Sequence, residues 1–317
     1  MDSQARRIAL ITGFAGWTAR TVGAELSSQG YQIVGVDYRP PGPPPPYEAQ
    51  TYQANYNKTR IEDIFRRHRP THVLHLGRVG NLKVQMGKRF DLNVMGSAKV
   101  KELSLKYNSR RLVVLSTFHI YGAHPHNHTP IYEHDPLRAG TAFPQIADAI
   151  QLDNQALMWI YQHPELQTVL LRPTNVIGPG VMNAMSRFLR QDWLPVMLGF
   201  DPMVQFLYES DLVRAIVAAN EAQPVGVFNL AGVSTVPWRG ALEMAGGRIL
   251  PMPSSFAALY LRLAGTLGPA LPPYLVNFTK YPCIISDEAF RETFGWRPEV
   301  DVDRAIRETV SDGHPQR

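Results

Sequence analysis

From its eighth residue the chain reads Ile8-Ala9-Leu10-Ile11-Thr12-Gly13-Phe14-Ala15-Gly16-Trp17-Thr18-Ala19. An apolar run ends in a glycine turn, and a helix-forming segment follows to about Gln29. This order is the strand–turn–helix that opens a dinucleotide-binding fold. Gly13 permits the sharp turn, Gly16 lets the backbone approach a pyrophosphate at the helix N-terminus, and Ala19 keeps the helix close to the strand. A glycine pattern alone is weak. Here it is supported by a second apolar run, Tyr31 to Val36, that ends in Asp37. A carboxylate at that distance accepts hydrogen bonds from the adenosine ribose hydroxyls and repels a 2′-phosphate, so NAD is expected rather than NADP.

Working outward, Arg39-Pro40-Pro41-Gly42-Pro43-Pro44-Pro45-Pro46 can be neither helix nor central strand and reads as a stiff exposed loop at the adenine end. A short strand is expected over 51–55, a helix over 58–67, a buried strand over 72–77, a long helix over 90–107 and a strand over 111–117. Alternating strands and helices predict a parallel, doubly wound α/β sheet. The later part is less regular. Helices are expected over 144–162, 182–190 and 209–221, and strands over 168–172, 206–208 and 226–230. The domain reading is an NAD-binding core over residues 1–170. Residues 171–317 form mainly a smaller, mostly helical substrate lobe, with 206–230 returning to the core. Between Ser254 and Phe278 the chain is apolar but broken by Gly265, Gly268, Pro269, Pro272 and Pro273. That segment is too interrupted to span a bilayer and reads either as a wall over an apolar pocket or as core.

The bulk numbers exclude several classes. With 317 residues, 44% apolar content and a net charge of +5, the chain can bury a large core and carries no basic block. Nucleic-acid binding is not indicated. A single cysteine, Cys283, excludes an intramolecular disulfide framework and suits the cytoplasm. Neither a signal peptide nor a membrane span is expected.

Several segments resemble the extended short-chain dehydrogenases/reductases, the group of nucleotide-sugar epimerases, dehydratases and 3β-hydroxysteroid-dehydrogenase-like enzymes. They are Thr12-Gly13-x-x-Gly16-x-x-Ala19, Asp37, Val73-Leu74-His75-Leu76, Asn93-Val94-x-Gly96 and Ser116-Thr117-x-x-Ile120-Tyr121-Gly122. Leu171-Arg172-Pro173-x-Asn175-Val176-x-Gly178-Pro179, Phe206-Leu207-x-x-x-Asp211 and Phe294-Gly295-Trp296-x-Pro298 follow in family order. The resemblance implies a Rossmann fold and NAD held by Gly13, Phe14, Ala15, Gly16, Trp17, Asp37, Tyr38, Asn55, Leu76, Gly77, Arg78, Asn93, Ser116, Pro173 and Asn175. It also implies a homodimer formed through the helices over 90–107 and 144–162.

The family's proton relay is missing. Its members use a tyrosine as acid–base group and a lysine four residues later, with a serine or threonine orienting the substrate oxygen. Thr117 supplies the last, with Ser116 beside it. The helix that should carry the pair begins Phe143-Pro144-Gln145-Ile146-Ala147-Asp148-Ala149 and contains neither residue. The seven lysines are preceded at four residues by Ala54, Val79, Val84, Met95, Ser97, Glu102 and Val276, so no Tyr-x-x-x-Lys occurs anywhere. The arginine with which nucleotide-sugar members grip the diphosphate is also absent, replaced by Met203-Val204-Gln205; Arg172, Arg187 and Arg190 are the remaining cations nearby.

His119, two residues beyond Thr117, is the preferred substitute acid–base group, with Tyr121 a weaker candidate. His124, His126 and His128 alternate in an extended segment and can be read as metal ligands or as a solvated loop; no metal is assigned. Three functions follow. One is an NAD-dependent oxidoreductase acting on a small apolar alcohol or ketone through a non-standard relay. A second is a catalytically degenerate NAD(H) sensor or scaffold. The third is a nucleotide-sugar epimerase or dehydratase.

Overall fold

A computed structural model describes residues 7–253 and 274–311. The expected wall or core segment up to residue 273 therefore lies outside the described residues.

Strand β1 (Ile8–Thr12) is wholly buried, and α1 (Trp17–Ser28) turns back along it to β2 (Gln32–Asp37). After the proline segment come β3 (Ala49–Gln53), α2 (Thr59–His68) and β4 (His72–His75). Helix α3 (Met86–Phe90) continues through a π-helical turn, Asp91–Met95, into α4 (Gly96–Lys106). Strand β5 (Arg111–Leu115), a short helix α5 (Ala139–Ala142), α6 (Ala147–Gln162) and β6 (Gln167–Pro173) complete the regular pattern. The helix expected from residue 144 begins as a separate 3-10 turn, Pro144–Ile146.

The chain falls into two units. The first contains the residues up to Ser116, Asp148–Arg172 and Val213–Phe228. Its strands order as β3-β2-β1-β4-β5-β6, closed at the far edge by β10 (Gly226–Leu230). From β3 to β6 every pairing is parallel. The order reverses direction between β1 and β4, which is the topological switch point where ligands bind beyond the carboxyl ends of the strands. Beneath it lies a core in which Leu10, Val73, Leu112 and Leu170 from the strands meet Ile61, Phe65, Leu103 and Leu152 from the helices. The β-branched strand residues and the helical spacing of the apolar positions produce those two faces.

The second unit contains Thr117–Ala147, Pro173–Leu212 and the chain from Asn229. Apart from the strand expected over 206–208, its strands were not assigned from the sequence. β7 (Asn175–Ile177) pairs in parallel with β9 (Met203–Tyr208), which pairs antiparallel with β11 (Thr235–Pro237). β8 (Trp193–Met197) pairs in parallel with β12 (Arg248–Met252). They are only three to six residues long, too short for periodicity to reveal. Among the described residues no helix is long and apolar enough to cross a membrane.

Candidate functional site

Gly13 sits at φ 76°, and a Cβ there would lie 2.7 Å from Gly77 Cα. The two glycines thus bring the turn after β1 against the chain leaving β4, and neither tolerates a side chain. Tyr56 fills the remaining space: its hydroxyl accepts from the Gly13 amide at 2.9 Å and would lie 2.5 Å from a Cβ on Gly77. Burial pushes the Tyr56 phenol well above its ordinary pKa, so it stays protonated. No side chain caps the first turn of α1 and no acidic residue lies in it. Its amides remain suited to an anion.

Asp37 ends β2 with only 3% of its surface exposed. Its carboxylate accepts from the Ala15 amide at 2.9 Å and from the Arg39 amide at 2.9 Å and side chain at 3.0 and 3.1 Å. Phe14 turns away from the glycine turn and packs under Gly35, where an added Cβ would lie 2.3 Å from its ring. Trp17 and Tyr38 are half-buried, and the Arg39 guanidinium lies 5.8 Å from the Tyr38 ring centroid. Asn55 donates to Asp91 at 3.1 Å and accepts from the Asn57 amide. Arg78 is exposed.

A directional chain of hydrogen bonds runs beneath the turn. The Gly77 amide donates to Thr12 Oγ1 at 3.0 Å, and Thr12 Oγ1 meets His75 Nδ1 at 2.8 Å. His75 Nε2 meets Ser97 Oγ at 2.7 Å, and Ser97 donates to the Asn93 carbonyl. Because the Ser97 proton is committed to that carbonyl, His75 must donate from Nε2 and accept at Nδ1. Burial lowers the His75 pKa to about 3, which fixes it neutral. The π-helical turn directs Asn93 inward, where its amide accepts from the Val79 amide and donates to the Val79 carbonyl and to Asp148 at 2.6 Å. Leu76 is half-buried between this chain and the turn.

Ser116 and Thr117 follow β5 directly. Ser116 donates to Asp153 at 2.6 Å, and Arg172 grips the same carboxylate at 2.6 and 3.0 Å. This buried triad pins α6 to β5 and β6.

In the second unit, Thr117 caps a 3-10 turn, Phe118–Tyr121, by accepting from the His119 amide. Its Oγ1 also lies 2.8 Å from His119 Nδ1. Rings surround the imidazole: Phe118 at 4.4 Å, Phe278 at 5.0 Å and Tyr274 at 5.4 Å between centroids. Phe143 packs against both Tyr274 and Phe278. Tyr121 is turned from this group, donating to Asn229 at 2.8 Å. Pro173 is buried at the end of β6, and Asn175 donates to the Gln205 carbonyl at 3.3 Å. His128 lies 2.8 Å from Asp135, which raises its pKa, while His124 and His126 contact each other. Among the described residues no group of three or more His, Cys, Asp or Glu side chains can hold a metal.

A glycine cradle, an uncapped helix start and a buried acid ending β2, all at a sheet switch point, form the framework of a dinucleotide-binding site. The family model described as NAD dependent epimerase/dehydratase matches residues 9–231. The chain belongs to that family. The cofactor that membership assigns is NAD, and the residues just described fit it.

The chain is 30% identical over 166 residues to an uncharacterized protein of Mycobacterium tuberculosis, a match covering 51% of this chain and 44% of the other. It thus spans less than half the length of that relative. The UDP-glucose 4-epimerase of Thermotoga maritima, solved with UDP-glucose, superposes with a TM-score of 0.74 at 22% identity, covering 96% of this chain and 98% of the other. The UDP-glucose 4-epimerase of Thermus thermophilus, solved with NAD, gives the same TM-score, identity and coverages. At these identities the likeness to solved structures is one of fold.

The sequence reading did not single out two residues beside the expected cofactor positions. Arg39 and Tyr56 lie next to motif residues, two after Asp37 and one after Asn55. Only their proximity to motif positions signalled them.

Proposed function

We propose that the chain is an NAD-dependent oxidoreductase acting on the carbinol or carbonyl of a small apolar substrate, with Thr117 and His119 as its proton relay. The observation that carries this reading is the 2.8 Å contact between Thr117 Oγ1 and His119 Nδ1 inside an aromatic surround. Bound NAD supplies the hydride acceptor. Thr117 takes the hydrogen bond of the substrate hydroxyl and passes its own proton to His119 Nδ1 as the carbonyl forms. His119 ends as the imidazolium and releases that proton to solvent; reduction runs the same transfers in reverse.

Three of the polar groups able to hold a nucleotide diphosphate are engaged elsewhere. Gln205 exchanges two hydrogen bonds with the Ile285 backbone, at 3.1 and 2.9 Å. Arg190 donates to the carbonyls of Thr309, Val181, Gly178 and Pro179, and Arg172 serves Asp153. The aromatic side chains around His119 favour an apolar substrate instead.

At the cofactor end Gly13, Ala15 and Gly16 take the pyrophosphate, and Asp37 takes the adenosine ribose once Arg39 yields its hydrogen bonds. A second reading, an NAD(H)-binding sensor or scaffold, is favoured by the absence of any Tyr-x-x-x-Lys from the chain. A homodimer is proposed through α4 and α6. There, Met158 is 54% and Tyr161 77% exposed beside a groove of about 310 Å³ that includes Ala98, Lys101 and Trp159.

The deciding experiment presents purified protein with NAD and a panel of apolar secondary alcohols, with UDP-sugars as the comparison panel. NADH formation from the alcohols alone is expected. Binding without turnover on either panel supports the sensor, and epimerisation of a UDP-sugar overturns the proposal.

A further inference from the structure

Between α4 and α6 the first unit leaves a groove of about 310 Å³. Lys101 and Glu102 of α4 line it, as do Gln155, Met158 and Trp159 of α6, and no residue that α6 contributes is charged. The periodicity of α4 places the lysine there. Val100 and Leu103 enter the core, and Lys101 between them is carried to its margin beside Trp159.

Lys101 is 2% exposed, yet its ammonium has no hydrogen-bond acceptor among the described residues. It lies 5.9 Å from the Trp159 ring centroid, near the outer limit of a cation–π contact. A buried cation is costly unless a counter-charge or acceptors face it. Glu102, the acid beside it, lies 3.8 Å from Lys99 instead. Burial accordingly lowers the Lys101 pKa to about 8. The wall next to it is unfinished as well: Trp159 Nε1 is buried without an acceptor and Gln155 Oε1 without a donor.

We infer that this groove binds a small organic monocarboxylate, whose carboxylate accepts from Lys101 Nζ and whose apolar body lies against Trp159 and Met158. One cation balances one negative charge, whereas the second charge of a phosphate dianion would stand unpaired near Glu102. The volume lies at the small end of ligand sites, which run from roughly 300 to 1,000 Å³. A second copy of the chain, meeting this one through α4 and α6, would bring to the groove no acid but Glu102, which Lys99 already engages. A free acid carries no such engagement. None of these residues belongs to the expected cofactor site, so the inference stands independently of the NAD reading.

The test titrates the whole protein with hexanoate and benzoate, with hexanol and benzyl alcohol as their neutral counterparts, and with inorganic phosphate. Calorimetry reads affinity, and the tryptophan indole N–H resonances read location, that of Trp159 being assigned by its loss in Trp159→Phe. At least one acid should bind and move the Trp159 resonance, while its alcohol and phosphate bind at least about tenfold more weakly. Lys101→Met keeps an unbranched stem and removes the charge. It should melt no lower than wild type, because a buried unpaired cation is gone, and should bind the acid about tenfold more weakly, the size of a lost charge-assisted hydrogen bond. Failure of both acids to bind, binding that leaves the Trp159 resonance unmoved, binding undiminished in Lys101→Met, or phosphate binding as tight as the acid each overturns the inference. A Lys101→Met variant that melts lower and sediments with a weakened dimer assigns the counter-charge to a second copy and overturns it too. If Lys101→Met does not fold, the Trp159 resonance and the alcohol and phosphate comparisons in wild type decide.

Discussion

The phenol of Tyr56 accepts the amide proton of Gly13 at 2.9 Å and closes the space beside Gly77. The conformation of the glycine turn after β1 is thus held from outside its own motif, by a residue of the loop after β3. Tyr56→Phe keeps the ring and removes the acceptor, leaving a part-buried amide unsatisfied. It should cost about 1–2 kcal/mol in urea unfolding and weaken NADH binding severalfold. Gly77→Ala should be worse, because its Cβ would lie 2.8 Å from the Gly13 nitrogen and backbone cannot yield as a side-chain end can.

How much of this was legible beforehand depends on what each signal measures. The β1 turn, Asp37 and the alternation of strands and helices were readable because glycine positions and apolar runs follow from backbone geometry. The parallel sheet and its switch point came with them. The missing tyrosine and lysine were equally plain, since absence from a sequence is countable. Contacts between distant segments were not: Arg89 and Asp148 lie 59 positions apart, and their salt bridge has no local signature. Thr117 and His119 were legible as neighbours, but the rings of Tyr274 and Phe278 arrive from a distant segment without local periodicity.

Asp37 and Arg39 predict the cofactor's selectivity. The carboxylate presently satisfies the arginine, whose guanidinium also approaches Gly16, 3.8 Å from where its Cβ would stand. Asp37→Ala removes the acceptor for the ribose hydroxyls and frees a cation able to meet a 2′-phosphate. NADH affinity should fall about tenfold and NADPH affinity should rise, as measured by paired titrations at constant salt. Asp37→Ala combined with Arg39→Ala should lose the NADPH gain alone.

The face formed by α4 and α6 predicts assembly. Lys101 is buried beside Trp159, and burial lowers its pKa to about 8, so this groove tolerates further positive charge poorly. Met158→Arg places a second cation at the same groove. If two copies meet there, sedimentation equilibrium should show the dimer weakened about a hundredfold, with the monomer's melting temperature nearly unchanged. A wild-type protein that sediments as a monomer at micromolar concentration refutes the interface.

His75 predicts an acid limit to stability. Its folded pKa is about 3, against 6.5 in the unfolded chain, so below pH 6.5 the unfolded state binds a proton that the native state refuses. Stability is therefore complete above pH 6.5 and declines as pH falls towards 3. At pH 5 the loss from this residue is about 2 kcal/mol. Burial likewise lowers His72 to about 4, which adds to the slope over the same interval. Urea unfolding at pH 7 and pH 5 measures the difference, and His75→Gln should lessen it while lowering stability at pH 7.

The relay makes the sharpest catalytic prediction because its two members have different duties. His119→Phe leaves Thr117 able to orient the substrate oxygen but removes the proton acceptor, and the aromatic surround accommodates the ring. Turnover should fall about 10²–10⁴-fold with KM little changed. Thr117→Ala removes both the orienting hydroxyl and the bridge to Nδ1, so turnover should fall as far and KM should rise as well. The double variant should be no slower than the worse single one, since both act in one transfer. Tyr121→Phe removes the hydroxyl that donates to Asn229 and should cost stability rather than rate. A Tyr121→Phe variant that lost turnover while His119→Phe retained it would move the acid–base role to the tyrosine.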